Sequence, residues 1–72
     1  MNPIILKYKF DNFKTALDFV NKVWIISEEI NHHPNIILKN YNEIELEIFT
    51  HTSNTITEKD LELKEKICDL EW

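Results

Sequence analysis

Ile36-Ile37-Leu38-Lys39-Asn40-Tyr41-Asn42-Glu43-Ile44-Glu45-Leu46-Glu47-Ile48-Phe49-Thr50 contains the change of hydrophobic pattern that decides the fold. Ile36 to Lys39 is short and β-branched, Asn40-Tyr41-Asn42 carries turn residues, and Glu43 to Thr50 alternates without a break. The stretch is therefore predicted to form two antiparallel strands joined as a hairpin. Successive side chains on a strand point to opposite faces. Ile44, Leu46 and Ile48 should face the helices, while Glu43, Glu45 and Glu47 face away. By the same parity His51 joins Phe49 on the outer face or lies just past the strand end. A site that uses His51 then sits at the rim or back of the sheet.

Upstream, Ile4 to Phe10 places Leu6, Tyr8 and Phe10 on one face and Lys7 and Lys9 on the other, the pattern of a half-buried strand. Outward lysines also discourage an edge strand from pairing with foreign strands. Asp11 is expected to cap a helix that carries Phe13, Ala16, Leu17, Val20, Val23, Trp24, Ser27 and Ile30 at three- and four-residue spacing, about five turns at 3.6 residues each. Pro34 disfavours helical geometry at the residue before it, so this helix should finish near Asn31 or His32.

Downstream, Thr52 to Thr55 reads as a polar loop. Thr57 with Asp60 three residues later is close to a capping box that opens a second helix. Leu63, Ile67 and Leu70 mark its buried stripe, joined by Leu61 or Cys68. The order is β-α-β-β-α, an α+β layer fold with a small antiparallel sheet and two helices on one face. Residues 1–72 make one domain at the lower edge of what a single core can hold folded, and Trp24, Tyr8 and the four phenylalanines are expected to serve that core. Trp72 is uninformative.

Composition removes several classes of function. Thirteen acidic residues stand against eight basic ones, all lysine, for a net charge of −5. Phosphate neutralisation needs clustered positive charge and base readout leans on arginine, so direct nucleic-acid binding is not expected. Glycine is absent, which excludes the nucleotide loops that require close backbone approach or positive φ. Cys68 is alone and has no partner for an internal disulfide, which fits a cytoplasmic location. Ile4-Ile5-Leu6 is cut short by Lys7, far below the length of a signal peptide's apolar region or a membrane span.

All three histidines fall between Glu28 and Asp60. His32 and His33 are adjacent, stopped by Pro34, and sit where a helix ends, so the carbonyl end of its macrodipole favours positive charge beside them. His51 is delivered by a different element. Histidine gains and loses a proton near neutral pH, as general acid–base work requires, and the constellation reads as a proton-transfer site. That reading needs imidazoles from a helix end and a hairpin tip to converge. Asp60 is equally well the third residue of a helix cap, and the two roles are compatible. Glu28 reads as a solvated carboxylate. Three histidines with Asp60 or water can also complete a zinc site, but adjacent side chains diverge and no helical i, i+4 spacing is present, so no metal is expected.

Glu28, His32-His33-Pro34, Tyr41, His51 and Asp60 together resemble the signature of the pterin-4a-carbinolamine dehydratase family, whose members are also known as dimerisation cofactors of a hepatocyte nuclear factor. The run from Phe10 to Val23 resembles the family's first long helix with its entry strand, and Thr57 to Ile67 its last helix. The resemblance implies dehydration of 4a-hydroxytetrahydropterin to quinonoid dihydropterin, with no metal or bound cofactor. It implies that His32 and His51 form the acid–base pair and that His33 holds the pterin or shares proton transfer. Pro34 and the segment holding Thr50, Thr52 and Ser53 match substrate-lining stretches, and Asp60 supports the site from behind. A homo-oligomer, dimer or tetramer, is implied. A non-catalytic protein-binding or coactivator module of the same fold is the alternative. The chain departs from the pattern in three ways. Members usually carry an extra helix and strand before the position of Ile4, so the chain resembles an N-terminally shortened member. Asn54 and Thr55 stand where the loop usually has glycine. Six residues, not the commoner five, separate Pro34 from Tyr41, which suggests a bulge or a shift of register that moves His51.

Overall fold

The computed structural model describes residues 3–70. The elements are β1 (Ile4–Lys9), α1 (Phe13–Ile30), β2 (Asn35–Lys39), β3 (Glu43–Ile48) and α2 (Glu58–Cys68), in the predicted β-α-β-β-α order. The three strands form one antiparallel sheet in the order β1-β3-β2. The alternating strand is thus central. Ile44, Leu46 and Ile48 are buried as its parity demands, and they face Ala16, Phe19, Val23 and Ile30 of α1 and Leu63 and Ile67 of α2 in one core. Across the sheet, Ile4, Leu6 and Tyr8 lie opposite Ile48, Leu46 and Ile44 on that same face. The outer face is charged: Lys7 pairs with Glu45 and Lys9 with Glu43, and the Lys39 ammonium reaches Glu45 at 3.6 Å.

The cap of α1 lies one residue later than expected. Asn12, not Asp11, takes extended backbone geometry, and its Oδ1 accepts the Thr15 N–H at 2.8 Å. The first helical hydrogen bond runs from the Ala16 N–H to the Asn12 carbonyl at 3.2 Å, which makes Asn12 the residue whose side chain faces the unpaired amides of the first turn. The buried stripe of α1 is also narrower than the list of apolar positions. Ala16, Phe19, Val23, Ser27 and Ile30 are buried, whereas Phe13, Leu17 and Trp24 are exposed, Trp24 by 49%. At about 100° per residue these three sit roughly 60–100° around the helix from Ala16, on a flank that the sheet does not cover. Trp24 and Phe13 are therefore not core residues, while Phe19, absent from the expected stripe, is fully buried and packs on Tyr8 and Phe10 with ring centroids 4.7 and 5.1 Å away.

In a chain without glycine, tight turns need another residue at positive φ. Among the described residues asparagine supplies it at Asn31, Asn40 and Asn54, with Tyr41 as the fourth such position. Asn31 ends α1 at φ 52°, and the reversal lets the His32 N–H bond the Ser27 carbonyl at 3.0 Å. Short polar side chains tolerate this region better than other non-glycine residues, and it is a common way for a helix to stop. Asn54 takes φ 56° in the loop where glycine was expected from the resemblance. The hairpin ladder runs unbroken from Asn35 opposite Glu47 to Lys39 opposite Glu43, so the additional residue before Tyr41 introduces no bulge in it. Asn42 closes the turn onto β1: its amide donates to the Phe10 carbonyl at 2.8 Å.

Thr57 caps α2, and its backbone N–H bonds the Asp60 carboxylate at 2.7 Å. Asp60, Leu63 and Ile67 face inward; Leu61 and Cys68, one or other of which was expected to join the stripe, are both exposed. They lie one residue past an inward position and so point about 100° away from it. The last turn of α1 holds no basic residue, and Lys59 of α2 supplies the cation by bonding the Ile30 carbonyl at 3.2 Å. No helix among the described residues is long and apolar enough to cross a membrane. Removing Leu46 from the centre of this core as Leu46→Ala should lower the unfolding free energy by about 2–5 kcal/mol. Leu61→Ala should change it by less than about 0.5 kcal/mol. Urea denaturation of both variants checks the contrast.

Candidate functional site

The end of α1, the start of β2 and the residues after β3 meet at one end of the sheet, opposite the hairpin turn. The register requires this, because Asn35 and Ile4 pair with Glu47 and Ile48 at the finish of β3. His51 therefore lies at the open end of the hairpin and not at its tip.

His32 follows the left-handed Asn31 and turns inward. Its side chain is 13% exposed, and its Nε2 lies 2.6 Å from Oδ1 of the fully buried Asp60. The other oxygen of Asp60 accepts from the Thr50 hydroxyl at 2.7 Å and from the Thr57 N–H at 2.7 Å, with the Thr57 hydroxyl at 3.2 Å. Burial alone would push this carboxyl up. The hydrogen bonds from His32, Thr50 and the Thr57 backbone, with the charge on His32, outweigh burial and hold it below the usual value of 3.8. Asp60 is thus a carboxylate, an acceptor only, and the His32 Nε2 must carry the proton that bonds it. With Nε2–H on Asp60, Nδ1 is the accepting nitrogen of the neutral His32 ring. The helix-cap role and the histidine-supporting role of Asp60 coexist, one on each oxygen.

His33 points the other way, into solvent. Its Nε2 pairs with Glu28 Oε2, and both side chains are half or more exposed. Glu28 is solvated, as expected, but it also holds an imidazole. His51 is exposed and packs against Phe49, with ring centroids 4.3 Å apart. Its Nε2 lies 3.5 Å from Asn35 Oδ1, and the Asn35 amide nitrogen donates to Glu47 at 3.1 Å. A carboxylate only accepts, so the amide nitrogen must face Glu47 and the amide oxygen faces His51. Asn35 adjoins Pro34, and this contact ties His51 to the segment that carries the other two imidazoles. Asn35 was not among the residues singled out from sequence, and Phe49 was expected only to share a face with His51. The signal available for Asn35 was its position opposite Glu47 in the hairpin.

Pro34 is half-buried, and Thr52 and Ser53 are exposed in the loop after His51, where the Ser53 and Thr55 hydroxyls bond at 2.7 Å. Thr50 differs from them, because its hydroxyl turns inward to Asp60 and Thr57. Each histidine takes a separate oxygen partner, and among the described residues no group of three or more His, Cys, Asp or Glu side chains is placed to hold a metal ion. A surface cleft lined by Lys7, Lys9, Lys39 and Glu43 lies at the turn end of the sheet, away from all three imidazoles. The arrangement offers one shielded imidazole backed by a carboxylate and one exposed imidazole backed by a neutral amide. Such a pair can deliver and remove protons at neighbouring atoms of a ligand.

The family model for pterin 4 alpha carbinolamine dehydratase matches residues 2–70. A protein of Sulfolobus acidocaldarius assigned as a pterin-4-alpha-carbinolamine dehydratase is 41% identical over 66 residues, covering 92% of this chain and 71% of the relative. One from Thermomicrobium roseum with the same assignment is 40% identical over 69 residues, covering 96% and 73%. Among solved structures, the transcriptional coactivator/pterin dehydratase of Brucella melitensis superposes with a TM-score of 0.84 at 30% identity, covering 93% of this chain and 70% of that one. A pterin dehydratase-like RuBisCO assembly factor of the alpha-carboxysome shares the fold, with a TM-score of 0.71 at 17% identity. With nearly its whole length matched, and with the histidines and aspartate of the signature gathered at one end of the sheet, the chain belongs to the pterin 4 alpha carbinolamine dehydratase family.

Proposed function

We propose that this chain dehydrates a 4a-hydroxytetrahydropterin to the quinonoid dihydropterin by general acid–base catalysis at the histidine end of the sheet. The observation that carries the reading is the His32–Asp60 pair, a shielded imidazole on a buried carboxylate in a member of this family. As the bond from C4a to oxygen breaks, the leaving hydroxide takes a proton and departs as water. The N5 proton is lost as the bond between N5 and C4a becomes double. The pair from the C4a–O bond leaves with the oxygen and the pair from the N5–H bond forms the new double bond, so the step is redox-neutral and needs no redox partner.

In this reading His32 and His51 handle the two protons. The Asp60 carboxylate, 2.6 Å from Nε2, stabilises the His32 imidazolium, whose Nδ1 proton passes to the leaving oxygen and leaves a neutral ring still bonded to Asp60 through Nε2–H. His51, open to solvent and backed by the neutral Asn35 amide, suits removal of the N5 proton and its release to water. His33, steadied by Glu28, helps hold the pterin, and Pro34, Thr52 and Ser53 line the site. The reading takes residues 1–72 as one domain, working in the cytoplasm as a homo-oligomer without a metal. Exposed Phe13, Leu17, Trp24 and Ile25 on α1 favour self-association, since burying such side chains is favourable. The same exposed flank favours the second reading, a protein-binding module of this fold.

Turnover of synthetic 4a-hydroxytetrahydropterin tests the first reading. His32→Ala and His51→Ala should each lower kcat by about 10²–10⁴. Equal rates for wild type and both variants would discard it, and a stoichiometric protein partner bound by a chain without turnover would favour the module. Sedimentation at micromolar concentration should show an oligomer; a monomer would contradict self-association. The Asp60 carboxyl also sets an acid limit on stability. Its value is lowered on folding, so its contribution is complete above the unfolded value of 3.8 and is lost as pH falls through the lower folded value. Chemical denaturation below about pH 4 should therefore show a steeper loss for wild type than for Asp60→Asn.

A further inference from the structure

We infer that Thr50 is a positioning residue for the proposed reaction: its hydroxyl acts on His32 through the Asp60 carboxylate and does not contact the substrate. This rests on the reading of His32 as a proton-transfer group. A hydroxyl has one proton to give. Thr50 Oγ1 lies 2.7 Å from Asp60 Oδ2 and 2.9 Å from the Thr57 hydroxyl. Asp60 accepts only, so the Thr50 proton is directed at it, and Thr57 is left to donate to Thr50 or to the same carboxylate oxygen 3.2 Å away. Thr50 then has no proton to offer a bound ring. Its backbone is closed as well: the N–H bonds the Thr55 carbonyl at 2.8 Å, and its carbonyl accepts the Asn54 N–H at 2.7 Å.

The consequence is mechanical. Two donors at 2.7 Å, the Thr50 hydroxyl and the Thr57 N–H, hold Oδ2 and stop the carboxylate from rotating, so Oδ1 stays aimed at His32. Partners behind a working imidazole commonly set its tautomer and orientation in this way. The titratable group bonded to Asp60 is His32, while the adjacent Lys59 turns aside to the Ile30 carbonyl. Thr50 is also peptide-bonded to His51. One residue thus registers both imidazoles, holding the carboxylate behind the first and the backbone of the second.

Thr50→Val keeps the shape and removes the hydroxyl, whereas Thr50→Ser keeps the hydroxyl. With synthetic 4a-hydroxytetrahydropterin, the valine variant should lose about ten- to a hundredfold in kcat, the worth of one hydrogen bond to a charged group, with KM within about twofold. The serine variant should recover most of that loss. The Asp60 carboxyl, followed by carbon-13 NMR titration without substrate, should move upward in the valine variant and stay in place in the serine variant. A raised KM with unchanged kcat would overturn the inference in favour of direct substrate contact, as would an Asp60 titration identical in wild type and valine variant. Should the valine variant fail to fold, the wild-type Thr50 hydroxyl proton decides: slow exchange with water is expected, and rapid exchange overturns the proposal. Equal turnover by wild type and His32→Ala would overturn the functional reading separately, because the titration involves no substrate.

Discussion

A buried carboxylate with donors from three places in the chain is the constraint around which the structure closes. Asp60 is fully shielded from solvent by the other described residues. Removing a charge from water is costly, and a carboxylate left without partners would take a proton or resist folding. Here His32 comes from the turn after α1, Thr50 from the segment after β3, and Thr57 from the cap of α2 itself. The carboxylate is satisfied only when all three have arrived. A buried ion pair is weak evidence for net stability, but it rejects arrangements in which its partners are displaced. Asp60 shares the inward face of α2 with Leu63 and Ile67, so burying the helix and completing the site are one event.

The three histidines are divided by what stands behind them. His32 is shielded and rests on an anion, His33 is exposed and shares its ring with Glu28, and His51 is exposed against Phe49 and a neutral amide. Three copies of one side chain thus have three environments, and acid–base chemistry depends on such differences. The sheet supplies the geometry. Its antiparallel register brings the start of β2 and the finish of β3 to the same end, so Asn35 and His51, sixteen residues apart in sequence, meet without a long loop between them.

Asparagine does the conformational work that glycine does elsewhere. Asn31 stops α1 and aims His32 inward, and Asn54 turns the loop that returns from His51 to the cap of α2. Each has a side chain that costs less in the left-handed region than other non-glycine residues. The absence of glycine therefore leaves the loop of the site well formed, with the Thr50 backbone bonded on both sides.

Element order, strand parity and the neighbourhood of each helix end were readable from residue pattern, because they depend on local periodicity. Ile44, Leu46 and Ile48 face inward and His51 emerges beside Phe49, as alternation requires. The position of Asp60 in a cap was equally legible. Pattern did not reveal which apolar flank of α1 would be covered, since Phe13, Leu17 and Trp24 differ from buried Phe19 only by a rotation that a sheet must resolve. Nor did it separate Asn12 from Asp11 at the cap, where either side chain has the required chemistry. The inward turn of Thr50 and the bond from His51 to Asn35 arise between segments distant in sequence. Such contacts depend on how layers dock, and docking is settled by the packed core and by the demand that a buried carboxylate find its donors.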